Sequence, residues 1–359
     1  VGERRPLGFG RTAAPAEPSA GPDADALDPA EREPSDVPVM DDRLAASLLP
    51  ERPARAHKGT FGKLLVIAGS LDYAGAALLV CRAAGRAGAG LVTLGVPESL
   101  QPLFAAKVVE ATTMGLPEDD VEEVDPEPAL ARILDHDHDA IVLGPGLKPG
   151  LANAELIREL LHMPAEQAQA PVVLDAEALR SLATIGEWWD GVSRACVLTP
   201  HPGEFARLRA GEGIEDDGDL ADDDAARATA ARDAARHWNQ VVVLKGARTV
   251  IADPDGAATV LPFENPALAT GGTGDVLAGV IGALLAQGLT AGPAARLGAY
   301  LHGLAGDLVR ERLGDAGLLA SDLPDMIPIA RKRLAVIAER ARAGKRLGFG
   351  VREPEGLGD

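Results

Sequence analysis

Six short runs rich in Val, Ile and Leu punctuate the chain, at residues 63–68, 91–96, 140–144, 171–175, 195–199 and 240–245. Each ends in Gly, Pro or a polar residue. Unbroken apolar runs of this length, such as Leu64, Leu65, Val66 and Ile67, mark strands covered on both faces, as in parallel sheets. Helical stretches separate most of them: residues 73–87, 153–161 and 222–238. The spacing is that of repeated strand–helix–strand units. Residues 249–252 and 258–261, turning at Asp253-Pro254-Asp255-Gly256, read as a hairpin. Residues 265–287 begin as a Thr/Gly-rich loop and continue as a small, apolar helix of about four turns. Further helices are expected at 41–49, 294–313 and 323–341, the last interrupted at Pro328. The pattern predicts an α/β fold with a mostly parallel central sheet and helices on both faces. It divides the chain into a disordered leader or linker at 1–40, one domain at 41–342 and a frayed tail at 343–359.

Composition narrows the function. With 359 residues, 46% of them hydrophobic, there is ample core for a large domain. The net charge of −19 argues against nucleic acid or an anionic membrane surface as a partner, and only 3% aromatic residues argue against a base-stacking platform for single strands. Cys81 and Cys196 form no CxxC pair, so buried thiols in a reducing compartment are expected. No apolar run reaches membrane-spanning length and residues 1–22 lack the apolar core of a signal peptide, which points to the cytoplasm.

Candidate chemistry gathers where strands end. In open α/β sheets ligands sit outside the carboxyl ends of the strands, and here those ends carry Gly146, Asp175, His201, Glu204 and Lys245. The start of the 265–287 helix adds Gly271-Gly272-Thr273-Gly274-Asp275. A helix start exposes backbone N–H groups and partial positive charge, and glycines let an anion approach them. Gly272, Thr273 and Gly274 therefore form a candidate anion hole, and the Asp275 carboxylate beside it can take a proton from an attacking hydroxyl. The plain alternative is a Gly-rich turn before an Asp in the first turn of a helix. His201, fixed between two prolines at a strand end, weighs toward ligand contact over a hydrogen bond within its turn. Lys245 is either a phosphate contact or a snorkelling surface lysine. The small residues at 73–77 fit close approach of a ligand and tight helix–sheet packing equally well. Asp135-His136-Asp137-His138-Asp139 alternates direction, which makes a poor single metal cage. The acidic run 215–224 reads as a solvated loop, and Trp188-Trp189 as helix packing or an oligomer contact. Neither a P-loop nor the usual dinucleotide fingerprint is present.

Several stretches together resemble the NAD(P)H-hydrate dehydratases of the ribokinase-like superfamily: HKGTFG at 57–62, AGS at 68–70, YAGAA at 73–77, GPGL at 144–147, LDA at 174–176, LTPHPGE at 198–204, LKG at 244–246 and GGTGD at 271–275. The resemblance runs from about residue 48 to 313. GTGD alone is shared with sugar and vitamin kinases; its combination with HKGTFG and TPHPGE is far more specific. The family implies repair of hydrated NADH or NADPH (NADHX, NADPHX), whose ring hydroxyl is phosphorylated from ADP or ATP and then lost as phosphate. It implies Asp275 as catalytic base, and Ala76 or Ala77, Gly146 and His201 as contacts to the hydrated dinucleotide. Lys245, Gly246, Ala247, Arg248, Thr249 and Gly274 become the adenine-nucleotide site. Mg²⁺ accompanying the nucleotide follows from phosphoryl transfer in general, with no residue declaring itself its ligand. Family members commonly form tetramers. Many carry an epimerase domain upstream, an activity expected here to be absent or to reside in another polypeptide. The other reading is a small-molecule kinase of the same superfamily.

Overall fold

The computed structural model of the chain describes residues 37–164, 166, 170–214, 220 and 223–346. Residues 1–36 of the expected leader, most of the acidic run and the tail from 347 lie outside the described residues. In order the strands are β1 (Lys63–Ile67), β2 (Leu91–Pro97), β3 (Thr112–Leu116), β4 (Glu118–Asp120), β5 (Glu123–Val124), β6 (Ala140–Leu143), β7 (Val172–Leu174), β8 (Cys196–Leu198), β9 (Val241–Leu244), β10 (Val250–Ala252) and β11 (Ala258–Val260). The helices are α1 (Asp42–Ser47), α2 (Ala74–Ala87), α3 (Gln101–Ala105), α4 (Pro126–Asp135), α5 (Leu151–Leu161), α6 (Glu177–Leu182), α7 (Pro202–Ala210), α8 (Asp224–Trp238), α9 (Thr273–Ala286), α10 (Ala291–Leu313) and α11 (Leu323–Arg346).

Nine strands make one sheet in the order β11-β10-β9-β8-β7-β6-β1-β2-β3, parallel from β9 through β3 and antiparallel at the β9-β10-β11 edge. Alternation along each strand feeds two cores. Leu64, Val66, Val92 and Leu94 face α1, α2, α9, α10 and α11, whereas Leu65, Ile67, Ile141 and Leu143 face α4 to α8. Each such fully buried side chain contributes about 1.5–3 kcal/mol, and covering both faces is what makes the strands read as unbroken apolar runs.

The order of strands locates the site. β1 leads through α2, on the first face, to β2 on one side; β6 leads through α5, on the second face, to β7 on the other. The chain thus departs in opposite directions between β1 and β6, the kind of point at which open α/β sheets bind ligands in a crevice outside the strand ends; here the loops after the two strands touch, the Gly69 N–H donating to the Pro145 carbonyl at 2.9 Å.

Four differences from the sequence reading have physical causes. Residues 37–40 belong to the domain: Val39 bridges Val260, the Met40 N–H donates to the Val260 carbonyl at 2.8 Å, and Val37 and Met40 are buried. Their apolar pattern was hidden among Pro and Asp. β3, β4, β5, α3, α4, α6 and α7 went unread; β3 is an edge strand in which only Met114 and Leu116 are buried. α11 runs unbroken through Pro328, where burial of Ile327, Ala330 and Leu334 offsets the lost hydrogen bond. It also continues to Arg346, beyond the expected end of the domain at 342.

Candidate active site at the carboxyl ends of the strands

The start of α9 is built by Gly272. Its φ of +92° is left-handed, and a Cβ there would approach Leu79 Cδ1 to 2.8 Å, so only glycine fits comfortably. The Thr273 hydroxyl donates back to the Leu268 or Thr270 carbonyl, both at 2.9 Å, and its N–H lies 3.4 Å from the Thr270 carbonyl. Thr273 therefore closes the loop rather than presenting a donor to a ligand. Helix geometry leaves the Gly272, Gly274 and Asp275 N–H groups without an intrahelical acceptor, so the candidate anion hole exchanges Thr273 for Asp275. From below, the His302 ring on α10 places Nε2 2.9 Å from the Thr273 carbonyl. That acceptor fixes the proton on Nε2, and burial pushes the ring down to about 4, so it stays neutral.

Beside this helix start stands a chain of charges. Lys245 Nζ, just past β9, donates to Asp175 Oδ1 at 2.8 Å and lies 3.6 Å from Glu204 Oε2. Asp175, buried just past β7, also accepts from the Thr199 hydroxyl at 2.8 Å. Burial works to lower the Lys245 ammonium, but Asp175 and Glu204 outweigh it and hold it above its ordinary value. A Cβ on Gly274 would lie 3.4 Å from Lys245 Nζ, which places that ammonium against the helix start. Asp275 is pushed up to about 7, first by burial and next by the negative Asp175, with Lys245 pulling the other way. A base that ionises near neutrality, an ammonium and bare N–H groups thus share one corner, a set suited to moving a phosphoryl group onto an alcohol.

A cavity of about 520 Å³ opens from this corner and is lined by Lys245, Gly246, Ala247, Thr249, Thr273 and Gly274, six of the residues expected there. Arg248 is not among them: its guanidinium is drawn away to Asp224 at 2.6 Å. Behind the loop, buried Arg227 donates to the carbonyls of Leu244 at 3.1 Å and Lys245 at 3.2 Å, and also to that of Ala247. Arg227, His302, Phe263 and Ala299 escaped the sequence reading because no local motif marks them. On the other side of Asp175, a Cβ on Gly146 would come 2.8 Å from Ala76 Cβ, so these two backbones meet. Ala77 is fully buried in the core, which leaves Ala76 as the alanine on the rim. His201 sits at the start of α7 with Nδ1 accepting from the Gly203 N–H at 3.0 Å and the Glu204 N–H at 3.3 Å. Its ring is about half exposed, and while Nδ1 caps the helix, Nε2 stands 3.6 Å from Glu204 Oε1.

Among the described residues no cluster of three or more His, Cys, Asp or Glu side chains is arranged for a metal. Of the rim carboxylates, Asp175 is already held by Lys245 and Thr199, so a Mg²⁺ would have to be carried largely by phosphate oxygens. The 135–139 segment instead fastens β1, with Asp139 accepting from the Lys63 N–H at 2.8 Å and Asp137 paired to the Lys63 ammonium. Trp188 is a packing residue, 5.5 Å from Trp238 ring to ring. Cys81 and Cys196 are buried, their thiols pushed up to about 12 by desolvation. Among the described residues no helix is long and apolar enough to cross a membrane.

Comparison with known proteins agrees with this geometry. Residues 64–329 match the model of a family described as NAD(P)H-hydrate dehydratase. The chain is 43% identical over 293 residues to the bifunctional NAD(P)H-hydrate repair enzyme of Moorella thermoacetica, covering 80% of this chain and 52% of that one. It is 38% identical over 287 residues to the ADP-dependent (S)-NAD(P)H-hydrate dehydratase of Neisseria meningitidis, covering 79% and 89%. Among solved structures, the ADP/ATP-dependent NAD(P)H-hydrate dehydratase of Bacillus subtilis, co-crystallised with ATP and Mg²⁺, superposes with a TM-score of 0.69 at 34% identity, covering 83% of this chain and 99% of that one. The chain spans about half the length of bifunctional relatives such as the Moorella enzyme. On the family match, these identities and the shared ribokinase-like fold, the chain belongs to the NAD(P)H-hydrate dehydratase family.

Proposed function

We propose that the protein dehydrates hydrated NADH and NADPH at the expense of ADP, as a lyase of cofactor repair. The observation that carries this reading is the corner formed by Asp275, Lys245 and the bare N–H groups of α9, of which Lys245 and Gly274 line the 520 Å³ cavity. The nucleotide takes the cavity; the hydrated ring takes the rim at Ala76, Gly146 and His201. Ionised Asp275 accepts the proton of the ring hydroxyl as its oxygen bonds to the terminal phosphorus of ADP. The bond to the bridging oxygen breaks and AMP leaves. Lys245 and the Gly272, Gly274 and Asp275 N–H groups hold the charge on the transferred phosphoryl group. The lone pair of the ring nitrogen then expels phosphate, and loss of a proton from the adjacent ring carbon restores the dihydronicotinamide. Mg²⁺ bound with the nucleotide would neutralise phosphate charge, carried largely by phosphate oxygens, since Glu204 Oε2 already accepts from the His201 N–H at 2.8 Å. The surroundings proposed are cytoplasmic.

Products test the reading. Hydrated NADH and ADP incubated with the protein should give AMP, phosphate and recovered dihydronicotinamide absorbance in equal amounts. A lasting phosphoester with no recovered absorbance would instead identify a kinase.

A further inference from the structure

One wall of the cavity is aromatic, and it is braced from a distant part of the chain. Phe263 lines the cavity opposite the 245–249 loop, and its carbonyl accepts from the Arg248 N–H at 2.9 Å. The ring lies across one face of α10. Tyr300 meets it edge-on at 4.9 Å between ring centres. One turn on, Gly303 leaves the space it occupies: a Cβ there would overlap the Phe263 ring. A further turn on, Asp307 accepts from the Asn265 amide at 3.0 Å and pins the segment's other end. Tyr300 is buried, and its hydroxyl donates to Asp42 Oδ1 at 2.7 Å. Asp42 opens α1, directly after residues 37–40, which lie along β11. Leu261, Leu268, Leu277 and Ala299 add apolar lining, and the cationic Lys245 and the start of α9 line the same cavity.

We propose that Phe263 is the face on which the purine ring of the nucleotide stacks, and that Tyr300 and Asp42 hold it there, so that the strap at residues 37–42 is a working part of nucleotide binding. The inference rests on the reading of the cavity as the nucleotide site. A flat π-face and an anion cradle lining one cavity match a nucleoside diphosphate, whose base is apolar on its faces and whose charge is terminal. Tyr300 and Asp42 touch no ligand. They act as positioning residues, because the hydroxyl-to-carboxylate bond ties the ring against which Phe263 packs to the strap at residues 37–42.

Calorimetric titration with two probes, ADP and inorganic pyrophosphate, tests this. Phe263→Ala should weaken ADP about tenfold and leave pyrophosphate binding as in the wild type. Phe263→Leu, which keeps volume without a π-face, should do the same, and Phe263→Trp should retain ADP. Tyr300→Phe and Asp42→Ala should each raise the KM for ADP about threefold, more than they lower kcat, while the KM for the hydrated dinucleotide stays put. Asp42→Asn, which keeps an acceptor oxygen, should recover wild-type values. Wild-type ADP affinity in Phe263→Leu, or an equal loss of ADP and pyrophosphate, would overturn the proposal. A wild-type protein that binds no ADP would overturn the nucleotide-site reading instead.

Discussion

A carboxyl group is most useful as a base when its pKa lies near the working pH, since a lower value makes it too weak and a higher one leaves it protonated. Asp275 reaches about 7 because it is buried and because Asp175 stands beside it, Lys245 opposing both. Only the ionised form can accept the hydroxyl proton. The rate should therefore climb about tenfold per pH unit below 7 and level off above it. Asp175→Asn removes a neighbouring negative charge and releases Lys245 from its partner; both changes favour ionised Asp275 and should move the acid limb to lower pH. The pH profile of kcat/KM for the two proteins checks this, and an unmoved limb would mean that another group is titrating. At the same scale, His201 shows the hydrogen bond within its turn that its sequence offered as the plainer reading: Nδ1 accepts from the Gly203 N–H, and Nε2 stands 3.6 Å from Glu204 Oε1.

At the scale of elements, α9 places the reacting corner, and glycines set its depth. A Cβ on Gly279 would come 2.5 Å from the Val80 carbonyl of α2, so the two helices touch backbone to side. Gly279→Ala should lower Tm by several degrees despite the better helix propensity of alanine, because overpacking costs about 1–3 kcal/mol against a gain of about 1. Gly150→Ala should leave it unchanged, since no atom lies within 4 Å of that Cβ. Thermal melts of the two variants measure the difference, and equal melts would contradict the packing account. The central strands and α9 were legible in sequence because burial on all sides writes itself as unbroken apolar runs. β3 was not, since an edge strand covered on one side carries only Met114 and Leu116 as signal. Nor were residues 37–40, whose contribution is backbone pairing with Val260, to which sequence pattern is nearly blind.

For the whole molecule, the candidate site was legible where its residues fall at strand ends and a helix start, as Lys245, Gly246, Thr249, Gly274 and Asp275 do. It was not legible where function depends on contacts across the chain: Arg227 behind the 245–247 loop, His302 under Thr273, and Tyr300 reaching Asp42. Each is an ordinary helix residue until folding brings its partner. Thr273 shows the converse, since its place in a GTGD motif suggested a donor and the fold turns its hydroxyl inward. In the proposed function a base and an anion cradle act at one point between two ligands. Asp275→Asn separates their roles, because it removes the base and a negative charge but leaves every N–H group and Lys245. Calorimetry with ADP, run beside turnover of hydrated NADH, should find ADP bound at least as tightly as by the wild type and turnover reduced by about 10³ or more. Turnover near the wild-type rate, with ADP still bound, would contradict it.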